Sequence, residues 1–225
     1  MPTRARALAV MAKAPITGAV KTRMAPPLTH PEAAELARAL LRDQLDHLAA
    51  LGDVDLYVVF APAGEAVLMQ SIVPPAFTCF PQRGDDLGER MEEAFAALWS
   101  RGHRDVILTG SDVPAPPLDI FRRAFEILSR AGKKVVLGPS QDGGYYLIGM
   151  NRPVPEIFRG MGWSHNRVLS ETIERLMRLE IDFELFPEWY DLDTVDDLRR
   201  FEVIASPLAR ATMKRTLEYW RQLRR

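Results

Sequence analysis

The sequence predicts an α/β fold, a three-layer α/β/α sandwich around a mostly parallel twisted sheet. Two observations carry that reading. Short apolar runs at 7–12, 56–60, 77–80, 106–109 and 135–137 alternate with amphipathic stretches. Several of the runs are apolar almost throughout, as strands are when helices cover both faces of their sheet. Strands that alternate with helices are joined by crossovers, which make a doubly wound parallel sheet. The 225 residues suffice for one large domain with a sizeable core. Residues 1–206 read as that domain, and 207–225 as an amphipathic helix packing on the domain or on a second subunit, which leaves a homodimer open.

The first strand, 7–12, runs into the loop Met11-Ala-Lys-Ala-Pro-Ile-Thr-Gly-Ala-Val-Lys-Thr-Arg-Met24. This loop gathers Lys13, Lys21 and Arg23 around a Pro-x-x-Gly turn that ends at Gly18. Open α/β sheets hold ligands at the carboxyl ends of their strands. Three cations there, with backbone N–H groups exposed by the turn, suit a phosphate-rich ligand; a solvated basic loop is the plain alternative.

A first helix spans 31–51, with Ala37, Leu41, Leu45 and Leu48 at near-helical spacing and Thr29 or His30 near its start. Strands at 56–60 and 77–80 follow, then a helix at 88–99. The single cysteine, Cys79, lies in a strand and reads as a small core residue; it excludes an intramolecular disulfide or a thiolate zinc cluster. His30, His47 and His103 read as surface residues.

The strand at 106–109 leads directly into Gly110-Ser-Asp-Val-Pro114. Asp112 therefore sits just past a strand's carboxyl end. There it either holds a Mg²⁺ or Mn²⁺ ion that bridges phosphates, or caps the following segment as a turn residue. A helix follows at 117–131, opened by prolines and closed near Gly132.

After the strand at 135–137, Asp142-Gly143-Gly144 reads as a turn feeding a strand through Met150. The glycines allow close approach to a ligand or simply a tight turn. Tyr145 and Tyr146 alternate on that strand, so one faces a pocket and one the core. A helix follows from 165 to 179, with Ser164 as its cap, and then a short strand at 183–186. Asp191 and Asp193 bring further carboxylates from a distant loop. Thr194 caps the next helix, with Val195 first in it and Asp196 and Asp197 favouring its positive end. A magnesium site needs only one or two carboxylates, so Asp112 and Asp193 would suffice if the fold brings them together.

Composition narrows the partners. The net charge of −1 gives no global case for nucleic acid. No apolar stretch is long enough to span a bilayer and no targeting signal is convincing, so a cytoplasmic protein is expected. The sequence lacks Gly-x-x-x-x-Gly-Lys-Ser/Thr, Gly-x-Gly-x-x-Gly, His-Glu-x-x-His and Gly-x-Ser-x-Gly.

Five motifs in fixed order carry a resemblance. Lys-Ala-Pro-x-x-Gly-x-Val-Lys-Thr-Arg-Met at 13–24, Asp-Leu-Gly-Glu-Arg-Met at 86–91, Gly-Ser-Asp-Val-Pro at 110–114, Asp-Gly-Gly-Tyr-Tyr-Leu-Ile-Gly at 142–149 and Asp-Leu-Asp-Thr-Val-Asp-Asp-Leu at 191–198 resemble a bacterial family of GT-A-type transferases. That family was long labelled a domain of unknown function, or radical-SAM/selenodomain-associated transferase 1. It is similar to the nucleotide-diphospho-sugar transferase superfamily, and the match spans roughly residues 5–205. The resemblance implies a divalent metal, Mg²⁺ or Mn²⁺, with Asp112 and Asp193 as its ligands. It also implies a nucleotide or nucleotide-sugar donor on Lys13, Gly18, Lys21 and Arg23, and a small-molecule acceptor. Arg90 falls where relatives place a loop near the nucleotide, and Asp142, Gly143, Gly144 and Tyr145 complete the expected binding residues. Lys21, Arg23 and Asp112 are the expected catalytic set. Nucleotidyl and glycosyl transfer both stay open; in the second, a carboxylate such as Asp142 would activate an acceptor hydroxyl. The Leu-x-Gly-Gly-x-x-x-Arg-Met signature of guanylyltransferases is replaced by Lys-Ala-Pro-x-x-Gly, and residues 111–113 hold one acidic residue where many glycosyltransferases have Asp-x-Asp. A non-catalytic nucleotide-binding protein on the same fold is the rival reading.

Overall fold

The computed structural model describes residues 5–163 and 165–224. Its strands are β1 (Arg6–Lys13), β2 (Asp55–Ala61), β3 (Phe77–Pro81), β4 (Asp105–Gly110), β5 (Lys134–Pro139), β6 (Tyr145–Met150) and β7 (Asp182–Leu185). The helices are α1 (His30–Leu48), α2 (Ala66–Ile72), α3 (Leu87–Trp99), α4 (Leu118–Leu128), α5 (Val168–Arg178), α6 (Val195–Ile204), α7 (Pro207–Thr212) and α8 (Lys214–Leu223).

The seven strands form one sheet in the order β3-β2-β1-β4-β6-β5-β7. β1 pairs in parallel with β2 and β4, and β2 with β3. β6 is the reversed strand, antiparallel to both β4 and β5, because the tight turn at 140–144 joins it to β5 as a hairpin. β7 then pairs in parallel with β5. Two antiparallel steps return β5 and β7 to the direction of β4. The carboxyl ends of every strand but β6 thus share one rim, and the β5–β6 turn opens there too. The chain winds outward from β1 to β3 and then crosses back to β4. The gap between β1 and β4 is therefore the point where strand order reverses, where such sheets hold ligands.

The alternation of β1 side chains builds two cores. Leu8 and Val10 face Leu41 and Leu45 of α1, Met69 of α2, and Phe121 and Phe125 of α4. Ala7 and Ala9 face Met91, Phe95 and Leu98 of α3 and Leu176 of α5. Burying each large apolar side chain contributes roughly 1.5–3 kcal/mol, which makes these layers the main source of stability. The other face of α1, through Leu36 and Leu40, packs on Leu198 and Phe201 of α6 and on Leu217 and Trp220 of α8.

Helix starts follow side-chain chemistry. Thr29 forms a capping box with Glu32 for α1, and Thr194 forms one with Asp197 for α6, whose first residue is Val195. Asp86 caps α3. Ser164, read as the cap of the helix at 165–179, lies outside the described residues; that helix itself begins later, at Val168.

Two expectations need correction, and one further helix was not expected. His103 is not a surface residue: it is buried, and its Nε2 shares a 2.8 Å hydrogen bond with the Tyr57 hydroxyl. The segment 66–72 is a helix that the sequence reading passed over. The tail is two helices rather than one, broken at Met213. Among the described residues no helix is long and apolar enough to cross a membrane.

Candidate active site

The loop after β1 is shaped before it meets any partner. Gly18 takes a left-handed φ of 78° in an open turn, a conformation that disfavours any side chain. Lys21 also lies in the left-handed region, at φ 48°, a cost on the order of 1 kcal/mol that the surroundings must offset. The short 3₁₀ turn Thr22–Met24 follows, and buried Met24 anchors it in the core beside Leu36 and Leu40.

Lys21 Nζ lies 2.6 Å from Asp112 Oδ1 and 3.1 Å from Asp193 Oδ1. Its side chain is 4% exposed, against 44% for Asp112 and 30% for Asp193. Arg23 donates from Nη2 to Asp193 Oδ2 and is itself largely exposed. Burial alone would lower the Lys21 pKa, but the charges of Asp112 and Asp193 outweigh it and hold the ammonium above its usual value. The expected cations and carboxylates, from positions up to 172 residues apart, thus converge on one point at the rim.

Backbone and side-chain bonds fix the acidic loops. The Leu192 N–H donates to the Asp112 carbonyl at 3.0 Å. Trp189 Nε1 donates to the Pro114 carbonyl at 3.0 Å, and the Trp189 N–H to the Pro139 carbonyl at 2.9 Å. From α1, Gln44 Nε2 donates to the Gly110 carbonyl at 2.7 Å and His47 Nε2 to the Pro116 carbonyl at 2.8 Å. Burial lowers the His47 pKa, which favours the neutral ring. The sequence reading missed Gln44, His47 and Trp189 as supports. The signal available was a set of polar residues on the core face of an apolar-patterned helix: Asp43 and Gln44 are buried in α1.

Asp191 is held by Ser140. Its Oδ2 accepts from Ser140 Oγ at 2.6 Å. Burial is the main cause that pushes its carboxyl up to about 6; the Ser140 bond opposes this, and the charges of Asp193, Asp112 and Asp142 add to it. Asp142 is thus a fourth carboxylate close to Asp112, Asp191 and Asp193. Its Oδ1 accepts the Gly144 N–H at 2.9 Å, an Asx-type turn.

Other expected binding residues have local explanations. Gly143, at φ 87°, would place a Cβ 2.1 Å from the Asn166 carbonyl oxygen, so its close approach is to the protein's own backbone. The Tyr145 ring packs in the α3–α5 layer and its hydroxyl is buried, which pushes the phenol pKa up. Tyr146 lies in the opposite core, so neither tyrosine hydroxyl is presented to the open rim. Arg90 turns back on its own loop, donating to the carbonyls of Gly84 at 3.0 Å and Asp85 at 3.2 Å. It holds the segment after Gln82, whose Nε2 bonds the carbonyls of Ala12 and Val59 on the same rim. Lys13 is exposed at the end of β1 and makes no ion pair among the described residues.

The donor set fits a hard divalent cation. Two carboxylates already aim at one cationic centre, and both offer oxygen. Among the described residues no group of three or more His, Cys, Asp or Glu side chains is arranged to hold a metal. Further ligands would therefore come from water or from a bound anion.

A bacterial protein family described as "Uncharacterized protein conserved in bacteria (DUF2064)" matches residues 44–165. A candidate nucleotide-diphospho-sugar transferase from Desulfovibrio desulfuricans G20 is 30% identical over 98% of each chain, with a TM-score of 0.84. Two more distant structures share the fold. Rv0371c from Mycobacterium tuberculosis H37Rv is 16% identical over 89% of this chain and 98% of its own, with a TM-score of 0.55. A CMP:2-keto-3-deoxy-manno-octonic acid synthetase complexed with CTP is 12% identical over 88% and 97%, also with a TM-score of 0.55. No curated protein matches the chain by sequence.

Proposed function

The chain belongs to the bacterial DUF2064 family of GT-A-type transferases, within the nucleotide-diphospho-sugar transferase superfamily, and from that membership we propose that it is a metal-dependent transferase whose donor is a nucleoside triphosphate or a nucleotide sugar. One observation carries the reading. Two cations and two carboxylates from distant loops meet at the gap between β1 and β4, where the strand order reverses. A diphosphate needs both charge types: cations for its oxygens, and carboxylates to hold the cation that it chelates.

In this reading Lys21 and Arg23 offset the charge of the diphosphate, and Lys13 and the turn at Gly18 extend the cationic lip. Asp112 and Asp193 would hold Mg²⁺ or Mn²⁺, which when bound supplies charge stabilisation at the phosphate oxygens. Arg90 keeps the 83–86 turn in place beside the strand ends. The protein's contribution is placement and preorganised charge. An acceptor that attacks through an ionised phosphate needs no base on the protein. An acceptor that attacks through a hydroxyl does need one, and Asp142 is the rim carboxylate suited to receive the proton.

A thermal-shift screen of nucleoside triphosphates and nucleotide sugars, each with Mn²⁺, tests the proposal. A donor raises the melting temperature through ligand linkage, and the best donor is then incubated with candidate acceptors. Release of pyrophosphate identifies nucleotidyl transfer, and release of a nucleoside diphosphate identifies glycosyl transfer. No shift with any nucleotide contradicts the proposal. A metal-dependent shift without turnover for any acceptor favours a binding protein instead.

A further inference from the structure

We infer that the Lys21 ammonium and a divalent metal compete for one position, so that this protein takes its metal only as a chelate with the diphosphate of its ligand and not as the free ion. The inference rests on the reading above that Asp112 and Asp193 are metal ligands.

Lys21 Nζ contacts both carboxylates, 2.6 Å from one and 3.1 Å from the other, so a cation held by the same two oxygens would contend with it. Arg23 already engages the second oxygen of Asp193. The cluster is balanced: two carboxylates face one ammonium and one guanidinium. A free divalent ion would add two positive charges to a neutral set, within a few ångströms of both cations. If it displaced Lys21 instead, it would leave an ammonium that is 4% exposed without its partners. A buried cation stripped of its counter-charge is strongly disfavoured.

A diphosphate removes that obstacle. Its oxygens restore the charge balance and give Lys21 and Arg23 new acceptors when the carboxylates turn to the metal. Each ligand then strengthens the other, and the coupling is reciprocal. Lys21 thus keeps the carboxylates paired until metal and anion arrive together, which guards the site against free divalent ions.

The test measures protein-bound Mn²⁺ by equilibrium dialysis, with and without inorganic pyrophosphate in both compartments, for the wild-type protein and Lys21→Met. Wild type should bind Mn²⁺ alone at least about tenfold more weakly than Lys21→Met, and pyrophosphate should raise wild-type Mn²⁺ occupancy while it binds one-to-one with the metal. In Lys21→Met the enhancement by pyrophosphate should shrink. Equal Mn²⁺ affinity in the two proteins overturns the inference and leaves the functional reading standing. If Lys21→Met does not fold, the wild type decides: Mn²⁺ binding that ignores pyrophosphate overturns the inference, and coupling of about tenfold or more supports it. Absence of Mn²⁺ binding in both proteins under both conditions overturns the inference and the metal-dependent reading together.

Discussion

The backbone N–H of Leu192 donates to the carbonyl oxygen of Asp112 across 3.0 Å, joining two loops that are 80 residues apart in sequence. The bond places Asp193 one residue beyond a fixed point and Asp112 on that point itself. Trp189 fastens the same pair of loops through Pro114. The separation of the two carboxylates is thus set by the backbone, and the Lys21 ammonium enters a gap whose width is already defined.

Asp191 makes stability depend on pH in the metal-free protein. Its carboxyl titrates at about 6 in the fold, against 3.8 for the free group. Between those values the folded state holds a proton that the unfolded chain has lost, so the stabilisation is complete below the unfolded value and fades as pH rises through about 6. The gap corresponds to about 3 kcal/mol. Asp191→Asn should therefore melt higher than wild type near neutral pH in the presence of EDTA, with the advantage vanishing by about pH 4. Equal melting temperatures at neutral pH would show that Asp191 ionises without penalty.

Gly143→Ala should destabilise by about 2 kcal/mol or more, because φ is 87° and the new methyl would fall 2.1 Å from the Asn166 carbonyl oxygen. Urea unfolding measures this as a lower midpoint at unchanged slope. A neutral outcome would mean that the 140–144 turn and the 166 backbone separate at little cost.

Asp43 ties α1 to the tail. Its Oδ2 accepts from the Thr216 N–H at 2.8 Å and Thr216 Oγ1 at 2.9 Å, and Oδ1 accepts from Arg215 Nη1 at 3.0 Å. It thus caps the first turn of α8 from another helix. Asp43→Ala should cost about 2–4 kcal/mol, read by urea unfolding, since it leaves buried N–H donors unpaired. A loss under about 0.5 kcal/mol would show that α8 is held by Trp220 and Leu217 alone.

Much of the fold was legible because its signals are local. Residues 7–12 and 106–109 are apolar almost throughout, and the structure makes them the interior strands β1 and β4. Thr194 with Asp197 marked a helix start as a matter of side-chain chemistry. What failed depended on distant partners. Nothing near His103 announces that Tyr57, 46 residues earlier, will bury its ring. The seven residues of α2 carry too few turns to show a period. Gly143 looked available to a ligand because Asn166, its true neighbour, comes from another element. At the rim, the sequence named Lys21, Arg23, Asp112 and Asp193, but not the supports Gln44, His47 and Trp189. Such polar groups bond to backbone carbonyls, whose positions depend on the completed fold.

The most direct test of the account is an anomalous difference map from crystals grown with Mn²⁺ and the nucleotide that gives the largest thermal shift. The account predicts a manganese peak within about 2.5 Å of a carboxylate oxygen of both Asp112 and Asp193, with Lys21 Nζ moved onto a phosphate oxygen. A nucleotide bound with its metal elsewhere, or with Lys21 still bridging the two carboxylates, would contradict it.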